Sequence, residues 1–306
     1  MKISIIGAGN VGGLTAMRLL QDGLGDVCLI DVAGALAEGK ALDLDDARAI
    51  LKVNYNVRGS ADIKEIKGSD IIIVTAGLAR KPGMTREDLM NRNAAILKDI
   101  CLTIKQSAHS AIVILVTNPL DLMAYFTLKA LGFERNKIFG MGISLDASRF
   151  ANLIARELKI PPLDVEACVI GVHGEGMLPL SRFTNIKGVI LDEFLSEEKI
   201  QGLVKMTVER GAKIVSLLGT GSAYFAPSAA IANLVKVIVK DEKRTIGVSA
   251  YLNGEYGIKD VCLGVPCRLG RDGIEEIIEL DLNRQERDKL LKSAANLKEQ
   301  YNKLEV

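Results

Sequence analysis

The chain has 306 residues, of which 48% are hydrophobic and 25% charged, and its formal net charge is +1. This length is typical of about two domains, and the composition allows a sizeable buried core in a soluble protein. The near-zero charge argues against a general nucleic-acid or anionic-membrane surface, although it permits local patches. No apolar run approaches the roughly 20 residues of a membrane-spanning helix, and the first residues lack the pattern of an export signal.

The cysteines are odd in number and are scattered through apolar surroundings. They are Cys28, Cys101, Cys168, Cys262 and Cys267. Buried free thiols in a reducing cytosol are the favoured interpretation, and we therefore expect a cytoplasmic protein. No other cysteine or histidine lies close in sequence to the last two cysteines, so we expect no metal site.

The first half of the chain alternates short apolar runs with segments of helical periodicity. The predicted strands are Lys2–Ile6, Val27–Ile30, Ile71–Thr75, Ile112–Thr117 and Lys137–Gly140, and the clearest predicted helices are Val11–Gln21 and Arg86–Gln106. Near-continuous apolar strands joined by helical crossovers indicate a parallel sheet covered on both faces, with right-handed connections. We predict a doubly wound α/β domain over residues 1–143.

From about residue 144 the pattern changes to a mixture of helices and strands. The predicted helices are Ser144–Leu158, Ser196–Leu218, Ala226–Val239 and one that begins near Asn283, and the strand-like runs are Thr245–Leu252 and Val261–Leu269. This order predicts a second, α+β domain over residues 144–306. No Ser/Gly linker separates the halves, so we expect an extensive interface between them, and clefts between domains are favoured ligand sites.

A glycine motif follows the first predicted strand. Gly7-Ala8-Gly9-Asn10-Val11-Gly12 matches G-x-G-x-x-G and stands between an apolar strand and a helical pattern. The first glycine permits a tight turn, the second lets a pyrophosphate approach the backbone, and the third lets helix and strand pack closely. The N–H groups at the helix N-terminus then face the phosphates. This context predicts a Rossmann-type dinucleotide site.

Asp31 ends the next apolar strand, 19 residues after Gly12. An acid at this place can accept both ribose hydroxyls of NAD and would repel the 2′-phosphate of NADP. The alternative is an ordinary helix cap or loop aspartate. Together with the glycine motif, the acid favours NAD as the cofactor.

The chain contains only two histidines. His109 stands at the end of a predicted helix, where a helix-end or surface role is favoured. His173 lies between two glycines just after an apolar strand, a setting that suits a side chain displayed at a cleft. Asp146 is a candidate carboxylate partner for a histidine base, and Arg149 follows one helical turn later. Sequence spacing also allows an internal Asp146–Arg149 ion pair without a substrate role.

Three cations follow the buried strand DIIIV, in the loop TAGLARKPGMTRED. They are Arg80, Lys81 and Arg86. Because the net charge of the chain is only +1, their presence requires a local explanation.

Several motifs together resemble the lactate and malate dehydrogenase family. They are GAGNVG with Asp31, TAGLARKPGMTRED, VTNPLD, LDASRF, GVHGEGMLPL, TGSAYFAPSAA and VPCRLGRDG, in that order over essentially the whole chain. The resemblance is strongest to the malate-specific members of the lactate-dehydrogenase-like group. It implies a homodimer or homotetramer that uses NAD and a small-molecule substrate, malate or oxaloacetate, in the tricarboxylic acid cycle.

The resemblance assigns a role to each candidate in the substrate site. His173 exchanges a proton with the 2-hydroxyl, and Asp146 orients His173 and raises its pKa. Arg149 holds the C1 carboxylate of the substrate through a bidentate pair. Arg86 polarises the reacting carbonyl. Asn118 contacts substrate and nicotinamide, and the bond that follows it is a candidate cis peptide or simply a turn.

The resemblance also implies a set of cofactor contacts. These are Gly7, Gly9, Asn10, Val11, Gly12, Asp31, Thr75, Gly77, Asn93, Thr117 and Asn118.

Arg80 decides the expected substrate. Malate-specific members carry arginine at this place, and lactate-specific members typically carry glutamine. A guanidinium can bind the second carboxylate of oxaloacetate, whereas closing the loop over pyruvate would bury an unpaired charge. A lactate or broader 2-hydroxyacid dehydrogenase is the nearest alternative, and a non-catalytic dinucleotide sensor is a more distant one. Glu175 and Gly176 depart from the common family pattern of aspartate and serine or threonine.

Overall fold

The structure is a computed structural model that describes residues 1–78 and 85–304, with only the backbone of Arg86. The strands are β1 (Lys2–Ile6), β2 (Asp26–Ile30), β3 (Val57–Ser60), β4 (Ile71–Val74), β5 (Ile112–Leu115), β6 (Ile138–Gly140), β7 (Val165–Glu166), β8 (Val169–Gly171), β9 (Met177–Pro179), β10 (Asn185–Ile186), β11 (Val189–Ile190), β12 (Arg244–Asn253), β13 (Lys259–Gly270) and β14 (Gly273–Ile277). The helices are α1 (Asn10–Gln21), α2 (Gly34–Leu51), α3 (Arg86–Ser107), α4 (Leu120–Leu131), α5 (Gly142–Leu158), α6 (Glu197–Leu218), α7 (Phe225–Val239) and α8 (Arg284–Tyr301).

The first half of the chain forms a parallel sheet in the order β3-β2-β1-β4-β5-β6. All four residues of β4 and of β5 are buried, because helices cover both faces of the sheet. The chain adds β2 and β3 on one side of β1 and then β4, β5 and β6 on the other side. The crevice beside the carboxyl ends of β1 and β4 is therefore the expected ligand site of such a sheet.

The predicted fold class, a doubly wound parallel sheet followed by an α+β half, is confirmed. Three elements of the first half lacked a clear sequence pattern. Strand β3, with the sequence VRGS, is not an apolar run, and α2 has a weak apolar face with only Ala37 and Ala41 buried. Nearly every residue of α4 is buried, so this helix shows no alternation of apolar and polar faces.

The second half continues the same sheet in antiparallel fashion. Strand β12 joins the parallel part through a single pairing of Ser249 with Gly140, and β13, β8 and β9 follow it. Strand β14 pairs with β13, and β11-β10-β7 form a small separate sheet. One sheet thus runs through both halves, which places the start of the second half against the carboxyl edge of the first.

Two buried apolar clusters support the sheet. The larger lies around the parallel strands and the smaller joins α5 to α6, with Phe150, Ile154 and Leu203 among its members. All five cysteines are free thiols, and only Cys168 is partly exposed. Within residues 1–78 and 85–304, no helix is long and apolar enough to cross a membrane. The same residues contain no cluster of three or more His, Cys, Asp or Glu able to hold a metal ion.

Candidate active site

The glycine turn between β1 and α1 packs so closely that two of its positions admit only glycine. Gly7 has φ +108°, and a Cβ on it would lie 2.5 Å from Thr75 Oγ1. A Cβ on Gly12 would lie 1.9 Å from the Gly7 carbonyl oxygen. A Cβ on Gly9, in contrast, would meet nothing within 4 Å. The open space at Gly9, beside the first N–H groups of α1, fits a pyrophosphate that approaches the backbone.

Asp31 follows β2 and ties the glycine turn to it. Its Oδ2 accepts a hydrogen bond of 2.7 Å from Ala8 N–H, and its Oδ1 accepts one of 3.0 Å from Ala33 N–H. A carboxylate offers about four acceptor positions, so capacity remains for the hydroxyls of a ribose. The structural and the cofactor interpretations of Asp31 are therefore compatible with one another.

The loops after β4 and β5 lie beside the glycine turn and are joined by Asn93 of α3. Asn93 Oδ1 accepts a hydrogen bond from Leu78 N–H at 2.7 Å, and its Nδ2 donates to the Asn118 carbonyl at 2.7 Å. Asn93 is fully buried. Its amide therefore holds the two loops together. The Asn118–Pro119 bond is cis, as the resemblance implied.

The hydroxyls of the two loop threonines also support this edge of the sheet. Thr75 Oγ1 donates to the Gly7 carbonyl at 3.0 Å, and Thr117 Oγ1 donates to the Ala76 carbonyl at 2.6 Å. A Cβ on Gly77 would lie 2.6 Å from Thr117 Cγ2, so the first of these loops packs tightly on the second. The predicted cofactor residues after β1, β4 and β5 thus come together at one edge.

His173, Asp146 and Arg149 form one hydrogen-bonded unit. The His173 Nδ1 lies 2.6 Å from Asp146 Oδ2, and Arg149 Nη1 lies 3.0 Å from Asp146 Oδ1. The Asp146 side chain is fully buried, whereas those of His173 and Arg149 are 17% and 12% exposed. One carboxylate therefore pairs with the histidine and with the arginine at the same time.

Glycines in α5 and in the neighbouring sheet allow this helix to pack close to His173. A Cβ on Gly142, its first residue, would lie 2.9 Å from the Cβ of His173. Ile143 packs against β12 and β13, where a Cβ on Gly264 would meet Ile143 Cγ1 at 2.0 Å. Removing side chains at these contacts lets α5 approach both the sheet and the loop that carries His173. Asp146 then lies one turn into the helix, facing that loop.

Asp121, in the first turn of α4, is a member of the site that sequence reasoning missed. Its Oδ2 accepts a hydrogen bond of 2.8 Å from the backbone N–H of His173, and its Oδ1 accepts one of 2.6 Å from Ser249 Oγ. Asp121 is 3% exposed. The acid was visible in the motif VTNPLD, but nothing in the local sequence shows that this carboxylate reaches a residue 52 positions away.

The buried carboxylates determine the electrostatics of His173. Burial by itself lowers the pKa of His173, but the charge and hydrogen bond of Asp146, with the charge of Asp121, outweigh it, and the pKa is raised above 6.5. Burial raises the pKa of Asp121 against the opposing hydrogen bonds from Ser249 and from the His173 backbone. The two carboxylates therefore favour the imidazolium form of His173.

Arg149 is available to an anion. Asp146 is its only hydrogen-bond acceptor among the residues that the structure describes, so most of its five donors remain free. A Cβ on Gly211 of α6 would lie 3.5 Å from Arg149 Nη1, which shows that this helix backs the guanidinium.

Some predicted residues fall elsewhere. Arg80, Lys81 and the side chain of Arg86 lie outside the described residues. His109 is exposed in the turn after α3, in agreement with its helix-end interpretation. The departure at Gly176 has a packing reason, because a Cβ there would lie 2.7 Å from the Cβ of Val172.

A dinucleotide-type sheet joined to a histidine–carboxylate pair and an available arginine defines a nicotinamide-dependent oxidoreductase. Residues 1–140 match the lactate/malate dehydrogenase NAD-binding domain, and residues 143–306 match the α/β C-terminal domain of the same family. The chain belongs to the lactate/malate dehydrogenase family, as its motifs predicted.

Its relatives cover the whole chain. A malate dehydrogenase of Methanosarcina mazei is 47% identical over 306 residues, which are 100% of both chains. The apo malate dehydrogenase of Picrophilus torridus superposes with a TM-score of 0.95 at 41% identity, covering 98% of this chain and 96% of that one. The lactate dehydrogenase of Cryptosporidium parvum, solved with lactic acid and nicotinamide adenine dinucleotide, has a TM-score of 0.95 at 36% identity, with 98% and 96% coverage.

Proposed function

We propose that the protein is an NAD-dependent malate dehydrogenase, which interconverts malate and oxaloacetate. The observation that carries the chemistry is the fully buried Asp146, which pairs with both His173 and Arg149. The relatives that are 42–47% identical and match at least 97% of this chain are named malate dehydrogenases, which favours malate over lactate as the substrate.

The described side chains suggest how the proton and the substrate are handled. Asp146 holds the proton of His173 on Nδ1, so that Nε2 accepts the proton of the 2-hydroxyl in malate oxidation and returns it to the carbonyl oxygen in oxaloacetate reduction. Arg149 holds the C1 carboxylate. The glycine turn and Asp31 would hold NAD, which would supply the hydride acceptor for C2 of malate, and NADH would supply the hydride donor in the reverse reaction. Asp121 positions His173 through its backbone N–H.

The roles of the other predicted residues are part of the same proposal. Residues 1–143 bind the cofactor through the predicted contact residues at the edge of the sheet, with Asp31 at the ribose and Asn118 also near the substrate. Residues 144–306 supply the catalytic and carboxylate-binding groups. Arg86 stabilises charge that develops on the carbonyl oxygen. We further propose that the enzyme works in the cytoplasm, in the tricarboxylic acid cycle.

Arg80 is proposed to bind the distal carboxylate of the substrate, and its replacement tests the choice of malate. The variant Arg80→Gln should lose oxaloacetate reduction and gain pyruvate reduction, because glutamine removes both the attraction to a carboxylate and the buried charge. Steady-state rates with each keto acid at fixed NADH measure this, and Lys81→Gln in the same loop is a matched control. An unchanged preference in Arg80→Gln would refute the role of Arg80.

The same assay separates the alternatives. A lactate or broader 2-hydroxyacid dehydrogenase predicts that the unmodified protein reduces pyruvate at least as well as oxaloacetate. A non-catalytic sensor predicts NADH binding without oxidation by any keto acid.

We also propose a homodimer or homotetramer. Exposed apolar side chains lie on α2 and where α6 ends and α7 begins. They include Leu42 (68% exposed), Ile50 (83%), Leu217 (77%) and Phe225 (64%). Surfaces of this kind mark protein–protein contacts. Light scattering should give two or four times 33.0 kDa, and Leu217→Glu with Phe225→Glu should reduce that mass. A chain that is monomeric at micromolar concentration would contradict the proposal.

A further inference from the structure

Lys40, on the second turn of α2, reaches across to the glycine turn. Its Nζ donates hydrogen bonds to the carbonyl oxygens of Ala8 and Gly9, at 2.8 and 2.9 Å. The Gly9 carbonyl also accepts the Gly13 N–H at 3.0 Å, which is a hydrogen bond of the first turn of α1. Lys40 therefore holds two successive carbonyls at the point where the turn becomes a helix. No carboxylate within the described ranges forms an ion pair with Lys40, so its charge remains at this turn.

The fourth glycine of GAGNVGG makes this approach possible. Gly13 lies outside the G-x-G-x-x-G pattern, which leaves its identity unexplained by the motif. A Cβ on Gly13 would lie 3.1 Å from Lys40 Cδ and 3.2 Å from Lys40 Nζ. Those distances are shorter than ordinary van der Waals contact, so a Cβ on Gly13 would push the lysine away by a few tenths of an ångström. Gly13 and Lys40 thus form one unit.

We propose that Lys40, admitted by Gly13, is a positioning residue for the pyrophosphate of the cofactor. By holding the carbonyls of Ala8 and Gly9, it fixes the conformation in which the N–H groups of the turn and of α1 face outward. It also places a positive charge at the turn that binds a group carrying two negative charges. The inference rests on the assignment of NAD to this turn.

Binding measurements on the full-length protein test the proposal without turnover. Titration of NADH, followed by its own fluorescence, gives the Kd for the unmodified protein, for Lys40→Ala and for Gly13→Ala. We expect Lys40→Ala to weaken NADH about tenfold, which corresponds to about 1.4 kcal/mol. Gly13→Ala should weaken it about threefold, because the lysine is displaced but not removed. In the double variant, Gly13→Ala should add less than twofold to the loss from Lys40→Ala.

Competition against NADH shows which part of the cofactor Lys40 serves. ADP-ribose carries the pyrophosphate and should lose affinity in Lys40→Ala as NADH does, whereas adenosine carries no phosphate and should be unchanged within twofold. Lys98→Ala, which removes an exposed lysine of α3, is the matched control and should bind all three ligands normally. The thermal unfolding midpoint of each variant shows whether the fold is intact.

Three results would overturn the proposal. The first is a Lys40→Ala protein that binds NADH within twofold of the unmodified one. The second is an equal loss for adenosine and ADP-ribose, and the third is a Gly13→Ala effect that persists in full when Lys40 is absent. If the unmodified protein fails to bind NADH, the cofactor assignment itself is wrong. This outcome differs from a Lys40→Ala protein that binds NADH as the unmodified protein does.

Discussion

Asp146→Asn is the substitution that tests the site most directly, because it removes a charge while keeping the size of the side chain. In the native site, Oδ2 of Asp146 lies 2.6 Å from His173 Nδ1, and Oδ1 lies 3.0 Å from Arg149 Nη1. An asparagine has one acceptor and one donor group in place of two acceptors. If its NH₂ group faces the guanidinium, two hydrogen-bond donors meet. If the NH₂ group faces His173 instead, it donates to Nδ1 and favours the tautomer with the proton on Nε2, which cannot accept a proton from the substrate.

In both arrangements one charge-assisted hydrogen bond in a buried position is lost. Such a bond contributes about 1.5–3 kcal/mol, which corresponds to a loss of about 10- to 150-fold in rate. This is part of the roughly 10²- to 10⁴-fold that a general acid or base contributes. The Asp146 side chain is fully buried, so solvent does not screen the interaction with His173. We expect kcat to fall by about this factor, with little change in NADH affinity.

The pH dependence gives a second measurement with a definite sign. Burial lowers the pKa of His173, but Asp146 and Asp121 raise it more, so the pKa should fall when Asp146 is neutral. Oxaloacetate reduction requires the imidazolium and declines as pH rises through this pKa, whereas malate oxidation requires the neutral ring and increases. Both transitions should move to lower pH in Asp146→Asn. Asp99→Asn, an exposed carboxylate of α3, is the control. Transitions that stay in place would refute the assignment.

Other substitutions follow from particular contacts. In Asp121→Asn the amide oxygen can accept from the His173 backbone while the NH₂ donates to Ser249 Oγ, so the geometry should survive. Burial raises the pKa of Asp121, so the ionised form of Asp121 destabilises the fold at neutral pH. Urea unfolding should therefore give the variant a free energy of unfolding about 1 kcal/mol higher than that of the unmodified protein at pH 7, and no difference at low pH. Gly9→Ala should keep the unfolding midpoint of the unmodified protein and weaken NADH binding at least tenfold. Gly12→Ala should instead lose roughly 1–3 kcal/mol of stability, because its Cβ would lie 1.9 Å from a carbonyl oxygen. Equal effects of the two substitutions would contradict the different surroundings of the two glycines. Arg149→Lys should lower kcat/KM for oxaloacetate about 100-fold, mainly by raising KM, because lysine cannot form a bidentate pair with a carboxylate. An unchanged KM would exclude carboxylate binding by Arg149.

Local patterns in the sequence were sufficient for the sheet and for the first half of the cofactor site. The apolar run Ile71–Val74 is a fully buried strand, and buried parallel strands have a composition that can be recognised without knowledge of their neighbours. The glycine motif could be interpreted for the same reason, since the turn, its strand and its helix are contiguous. Helix α4 escaped prediction because it is buried on nearly every side and has no polar face.

The chemistry of the site depends on contacts between distant parts of the chain. His173 and Asp146 are 27 residues apart, His173 and Asp121 are 52 apart, and Lys40 is 31 residues from Gly9. The sequence by itself determined that the chain contains a dinucleotide turn, a histidine set between glycines and a helical Asp-Arg pair. Only the tertiary structure decided that one buried carboxylate pairs with both His173 and Arg149, that Asp121 accepts from the His173 backbone, and that Lys40 reaches the glycine turn. These pairings follow from where α2, α4 and α5 begin, after β2, β5 and β6 at the carboxyl ends of the parallel strands, which no local periodicity records.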